Sequence, residues 1–368
     1  MAKVIGLVNL HTNVSLGALT ERRPAASVSF LGRYALVDFV LSNMSNSTID
    51  KVGVLVQNKP RSIIKHLGGG TSWNLNQKRG GLSVLYNEPA ANTAYNTDLN
   101  NLAENIAFLK EAKGDYAVIA PAHIINTINY EAVVEAHVAS GADITVVYSS
   151  VENADTAWLG ADCLALDHGV VKAVEANKGG QAARNVSLET YVVSTATLKA
   201  MVKEAKTISA LYTLKDYVEA ATQTKKVVGY EYQGYVACID SLESYYKCSL
   251  ELLDYVNNTM VFKSNWPIFT NSNDTPPTKY LKNSSVKKAF VANGALIDGT
   301  VKNSVIGREV VIGTGATVEN SIILSGAKIA PGAVIKNAII DKYAEVVNKL
   351  ELEGTPEKPL YVKEGDTI

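Results

Sequence analysis

Cysteine is scarce in this chain, with Cys163, Cys238 and Cys248 the only three in 368 residues. An odd number at wide spacing excludes a disulfide scaffold and a four-cysteine zinc site, and fits a reducing compartment. Charge is also scarce: charged residues make up 19% of the chain, below the usual quarter or so. Lys plus Arg total 35 against 36 for Asp plus Glu, a net charge of −1. The chain therefore lacks the basic surplus of a general polyanion binder, and no nucleic acid partner is expected. One local cationic site for a phosphorylated metabolite stays open. No apolar run is long enough to span a bilayer, so no membrane partner is expected. The start, Met1 to Leu7, turns polar too early for a signal peptide. A cytoplasmic protein is the expectation. Apolar residues, at 47% of the chain, are plentiful enough for a large core and about two domains.

Up to about Val256, strand-like and helix-like segments alternate. Val4 to Leu10 and Val52 to Gln57 read as buried strands, with a helical pattern from Phe39 to Ile49 between them. Lys59-Pro60 opens another helix. Leu99, Leu102, Ile106 and Leu109 recur at helical spacing behind Thr97 or Asp98 as cap. Tyr116 to Ala120 and Ile144 to Tyr148 are strands, and Tyr130 to Ser140 is a helix stopped at Gly141. Asp240 followed by Glu243 reads as a capping-box start. This alternation predicts an α/β domain, Rossmann-like, with a mostly parallel sheet covered on both faces. Residues 257–285, polar and holding Pro276-Pro277, read as a linker.

From residue 286 the period changes. Ile306, Ile312, Val318, Leu324 and Ala330 fall six residues apart, and Val310, Ala316, Ile322 and Val334 follow four residues after their respective starts. That is a hexapeptide-repeat pattern, which predicts a left-handed parallel β-helix with aliphatic corners stacked inward. The expected division is 1–256 α/β domain, 257–285 linker and 286–368 β-helix. The five histidines, His11, His66, His123, His137 and His168, all precede the repeats. An acyltransferase, which needs a histidine base there, is thereby a weak reading.

Three stretches carry a resemblance: Leu19-Thr20-Glu21-Arg22-Arg23-Pro24, Phe30-Leu31-Gly32-Arg33-Tyr34-Ala35-Leu36-Val37-Asp38-Phe39, and Leu41-Ser42-Asn43-Met44-Ser45-Asn46-Ser47. With Trp266-Pro267-Ile268-Phe269 downstream, the chain resembles ADP-glucose pyrophosphorylase, the glucose-1-phosphate adenylyltransferase family. The resemblance implies a Mg²⁺-dependent transfer of adenylyl from ATP to glucose 1-phosphate, in glycogen synthesis.

It also marks what is missing. Where catalytic members read A-G-G-x-G-T-R-L, this chain has Leu10, His11 and Asn13 at the loop glycines and Ser15 at the arginine. Glycine lets the backbone approach phosphate oxygens, and serine cannot neutralise a leaving pyrophosphate. Ala122 and Tyr235 stand at the two metal carboxylates, and Ala176 at the sugar-phosphate lysine, with Lys178 two residues on. No catalytic residue and no metal ligand is expected here. The profile resembles the regulatory GlgD-type branch, which implies a catalytic adenylyltransferase partner in a heterotetramer or, alone, a homo-oligomer. No cofactor is expected on this chain, and Mg²⁺ on the partner. Arg22, Arg23, Arg33, Lys59 and Arg61 are the candidates for effector or interface contacts, while Asp38 reads as a structural acceptor. The alternative is an active nucleotidyltransferase with an altered site that uses a carboxylate such as Asp240.

Overall fold

Val4–Asn9 (β1) is an apolar hexapeptide whose central four residues are fully covered. Such a strand needs partners on both edges, and it has them in parallel register, Lys51–Val56 (β2) on one side and Tyr116–Pro121 (β4) on the other. Gly81–Tyr86 (β3) extends the sheet beyond β2, again in parallel. The computed structural model describes residues 2–12, 14–75, 80–87 and 96–368.

The other half of the sheet corrects the expectation of a mostly parallel arrangement. It contains Ile144–Val151 (β5), Asp162–Asp167 (β6), Val170–Ala176 (β7), Arg184–Ser194 (β8) and Val227–Glu231 (β9), in the overall order β3-β2-β1-β4-β8-β5-β9-β7-β6. β8 runs antiparallel to both β4 and β5, and β7 antiparallel to both β9 and β6. The sheet is mixed because β7 returns directly from β6 as a hairpin, with no helix between them. A bulge interrupts β8 between Ser187 and Thr190, where Glu189 takes the left-handed region at φ 48.

Helices cover both faces. Ile5, Leu7, Ile119 and Val146 face Asp98–Glu104 (α3), Ile106–Glu111 (α4), Thr195–Ile208 (α6) and Leu214–Ala221 (α7). Gly6, on the alternate face, lies under Leu36–Asn46 (α1); a Cβ there would sit 2.6 Å from the Met44 sulfur. Tyr130–Ser140 (α5) shares that face, its His137 ring edge-on to Tyr116 at 5.4 Å. Its ends are those the sequence predicts: Asn129 Oδ1 accepts from the Glu131 amide, and Gly141 terminates it at φ 60. Pro60–Leu67 (α2) begins at its proline. The run from Leu99 to Leu109 is two helices, broken at Asn105.

The chain divides into two compact units that interleave along the sequence. The first comprises Met1–Asn13, Phe39–Cys238 and Trp266–Phe269; the second comprises Val14–Asp38, Ile239–Asn265 and Thr270–Ile368. In the second, Leu242–Glu251 (α8) is capped by Ser241 rather than Asp240. The Ser241 and Ser244 hydroxyls accept from each other's amides, and the Asp240 amide donates to Ser244 Oγ. Tyr255–Val261 (α9) and the strand Lys279–Tyr280 occupy part of 257–285.

From Lys279 onward the second unit is a parallel β-helix. Its inward rows are Ile297, Ile312, Ile329 and Val346; Val301, Val318, Ile335 and Leu352; and Ile306, Ile323, Ile340 and Val362. The strict six-residue count that selects Leu324 and Ala330 slips by one. Ile323 and Ile329 hold those places, because their partners Ile306 and Ile312 lie 17 residues back, whereas the step from Ile297 to Ile312 takes 15 and that from Ile340 to Val362 takes 22. Asn303, Asn320 and Asn337 explain the missing residue. They recur at φ 47, 47 and 48 and make one corner of each coil tight; asparagine tolerates that region better than most residues. The Asn303 amide donates to Asn320 Oδ1 at 2.8 Å, and the Asn337 amide to Gly354 O.

Candidate functional site

In open α/β sheets, ligands are met at the carboxyl ends of the parallel strands. In the first unit, that end of β1 leads into Leu10 and His11. A phosphate cradle there would need free backbone amides, but the amides are spent on protein. Leu10 N–H donates to Leu55 O at 3.1 Å, and His11 N–H to Asn9 Oδ1 at 3.0 Å.

The His11 ring is held at both nitrogens. Nε2 is 3.0 Å from Asn101 Nδ2, which can only donate, so Nδ1 carries the proton and donates to Asn96 O at 3.1 Å. Burial lowers the His11 pKa, against the pull of the Asp98 carboxylate, and the ring is the neutral tautomer. Asp98, itself buried, accepts from Asn9 Nδ2, Leu99 N and Leu214 N within 2.9 Å. The place of a triphosphate cradle is thus taken by a neutral imidazole, two asparagines and a carboxylate whose lone pairs are already engaged. A phosphate would meet the negative charge of Asp98 there. Asn13 lies outside the described residues, and Ser15 is an exposed residue of the second unit.

At the end of β4, Ala122 is buried, and His123 Nε2 lies 3.9 Å from Glu189 Oε2. The short pairing of Ile124–Ile125 with Ala237–Cys238 sets Cys238 opposite Ile124. Cys238 thus stands opposite a residue two positions after Ala122. Tyr235 is buried three residues earlier. These residues do not fit Mg²⁺: a methyl offers no lone pair, and a thiol is too soft a donor for that ion. Among the described residues, no group of three or more His, Cys, Asp or Glu is placed to hold a metal.

Ala176 is exposed at the end of β7, and so is Lys178. Between them, Asn177 is buried and pins the preceding loop, donating to the carbonyls of Ala154 and Trp158 and accepting from Gly179 N. Asp162 pairs with Lys215 at 2.9 Å. Burial raises its pKa, Lys215 opposes that, and Glu189 adds to it.

Arg23, one of the candidates for effector or interface contacts, is occupied within the protein. It is 6% exposed and belongs to the interior of the second unit. One guanidinium nitrogen lies 2.6 Å from both Asp341 oxygens, and Nε donates to Leu19 O. Tyr361 OH donates to the same carboxylate. Arg22 and Arg33 are exposed in that unit, and Lys59 and Arg61 are exposed in the first, at the start of α2. Sequence reading missed Arg308 and Lys342. Burial and the neighbouring Arg33 lower the Arg308 pKa, and burial and Arg23 lower that of Lys342. The two lie two coils apart on the β-helix, a juxtaposition visible only once the 17-residue register is known. Asp38 is the structural acceptor expected, taking the Ala35 amide at 2.8 Å.

Comparison with known proteins identifies the family. A nucleotidyl transferase family model matches residues 15–228, and a GlmU-like C-terminal hexapeptide model matches 276–358. The glycogen biosynthesis protein GlgD of Bacillus subtilis (strain 168) is 34% identical over 99% of this chain and 96% of its own length. The GlgD of Geobacillus stearothermophilus is also 34% identical, again over 99% and 96%. The glucose-1-phosphate adenylyltransferase of Thermosipho africanus (strain TCF52B) is 32% identical over 82% of this chain and 74% of its own length. No helix among the described residues is long and apolar enough to cross a membrane. With a nucleotidyl transferase fold, a hexapeptide β-helix and end-to-end similarity to GlgD, the chain belongs to the glucose-1-phosphate adenylyltransferase family.

Proposed function

We propose that this chain is the regulatory, largely non-catalytic subunit of a glucose-1-phosphate adenylyltransferase of bacterial glycogen biosynthesis, acting in the cytoplasm. In this reading it raises the turnover of a catalytic partner within a hetero-oligomer, and Mg²⁺ is held by the partner. The observation that carries the reading is the His11 network in place of a phosphate cradle. Adenylyl transfer is catalysed by positioning and by neutralising charge on the phosphates. Neutral His11 beside Asp98 does the reverse, and Ala122 has no atom for a metal. Losing one such contact commonly costs about a hundredfold or more in rate. The exposed cations Arg22, Arg33, Lys59 and Arg61, together with Arg308 and Lys342, are candidate places for an anionic effector.

A coupled pyrophosphate assay tests this. The chain alone is expected to match a no-enzyme blank, and the catalytic subunit is expected to turn over faster with the chain than without it. Turnover by the isolated chain that is lost in Asp240→Ala would replace this reading with that of an active transferase. Absence of both association and activation would remove the regulatory role.

A further inference from the structure

The first unit contains a cavity of about 550 Å³ at the start of β1. Its walls are the residues entering β1, the turn from Ser47 to Asp50 and one side of α5. The crevice described above lies at the other end of β1, roughly 17 Å away for a strand of this length, so the two are separate. The volume falls within the range of small-ligand sites.

Two properties define what would fill it. Val4, Ile49, Tyr130 and Val134 supply an apolar lining. Asp50, Glu131 and Glu135 also line it, against Lys3 as the one cation among the described residues of the lining. Among the described residues, none of these three carboxylates is in an ion pair. Glu131 and Glu135 stand four residues apart on α5, a spacing at which like charges destabilise a helix. The helix N-terminus favours Glu131, but Glu135 is a turn further on. An apolar hollow with a net negative lining is complementary to one kind of molecule.

We propose that this cavity binds an organic cation with an apolar body, such as an aryl-alkyl amine. Its hydrocarbon part packs against Val4, Ile49 and Val134, and its ammonium sits at Glu131 and Glu135. This site is independent of the regulatory reading, because none of its residues belongs to the crevice.

Phenethylamine and 3-phenylpropionate, similar in size and opposite in charge, test this on the full chain by ligand-observed NMR and calorimetry. Phenethylamine is expected to bind saturably, about fivefold or more tighter than the carboxylate, and to weaken as salt is raised. Glu131→Gln with Glu135→Gln should erase that preference, and Val134→Trp should remove binding of both probes. Lys3→Gln should strengthen amine binding, a gain that a damaged fold cannot produce. Equal binding of the two probes, no saturable amine binding at millimolar concentration, or weaker binding in Lys3→Gln would each overturn the proposal. So would an effect confined to basic peptides, which would make the surface a protein-docking site instead.

Discussion

His11 and Arg23 show how much a single buried side chain commits this protein to. His11 and His137 both have pKa values lowered chiefly by burial. Between the folded values and the unfolded value near 6.5, the unfolded chain binds more protons than the folded one. Stability is therefore expected to fall as pH drops below about 6.5, and these two groups add no slope above it. Urea melts at pH 7.5 and 5.5 check this, and His11→Asn should reduce the difference. A midpoint independent of pH across that interval would refute it. Arg23 is a second case. Its truncation to alanine leaves Asp341, 1% exposed, hydrogen-bonded to the Tyr361 hydroxyl and the Lys342 amide, with the Lys342 charge as the cation still acting on it. Removing one member of a buried pair costs about 3–5 kcal/mol, while Arg23→Met with Asp341→Leu should cost much less. A single-variant loss below about 1 kcal/mol in denaturant titration would show that the pair is solvated in solution. In the crevice, Ala122→Asp restores one carboxylate but leaves Leu10 and the His11 network in place. No pyrophosphate above the wild-type level is expected from it, and measurable turnover would mean that the missing carboxylate alone had silenced the site.

At the scale of elements, legibility followed the source of each signal. Tyr130–Ser140 was readable to the residue because its cap and its stop are both local chemistry. The mixed sheet was not, since strand direction depends on pairing between β8 and two distant strands. The Ser42 to Asn46 stretch carried the family resemblance, yet its role emerges only in three dimensions. Ser42 Oγ accepts from Phe269 N, Asn43 Oδ1 from Trp266 Nε1, and Asn46 Nδ2 donates to Pro267 O. These side chains fasten a distant segment to α1, which no periodicity reveals. In the crevice, sequence identified the lost glycines but not what replaced them, because Asn96, Asn101 and Asp98 are about 90 residues from His11. In the β-helix, a period of six was visible and the 17-residue coil was not, because the shortening lies in the backbone of Asn320 and its neighbours. Asn320→Ala puts alanine in the left-handed region and removes the acceptor for Asn303. A loss of about 1–3 kcal/mol is expected, read as a lower midpoint in thermal or urea unfolding. An unchanged midpoint would mean that the asparagine ladder is incidental to the corner.

At the scale of the whole molecule, the interleaved units decide what can be cut. The second unit is a β-helix completed by pieces from far upstream, since Val14–Asp38 and Ile239–Asn265 belong to it. Phe30 and Tyr245 are fully buried there, with ring centres 6.2 Å apart. Tyr246 OH donates to Asn320 O at 2.5 Å, and a Cβ on Gly32, at φ 78, would lie 2.7 Å from Ile306 O. These residues have no core of their own without the coils. A fragment ending at residue 256 therefore keeps Phe30, Arg23 and Tyr245 while deleting Ile306, Asn320 and Asp341. It exposes apolar surface and a cation whose partner is gone. Such a fragment is expected to lose the part of the near-UV circular dichroism that comes from Phe30, Tyr245 and their neighbours and to aggregate, while the first unit keeps its own core. Gly32→Ala in the full chain should show a milder form of the same defect, a lower midpoint with cooperativity retained, because one contact is strained rather than all removed. A soluble 1–256 fragment that keeps the full near-UV signal would show that residues 14–38 and 239–256 fold without the β-helix.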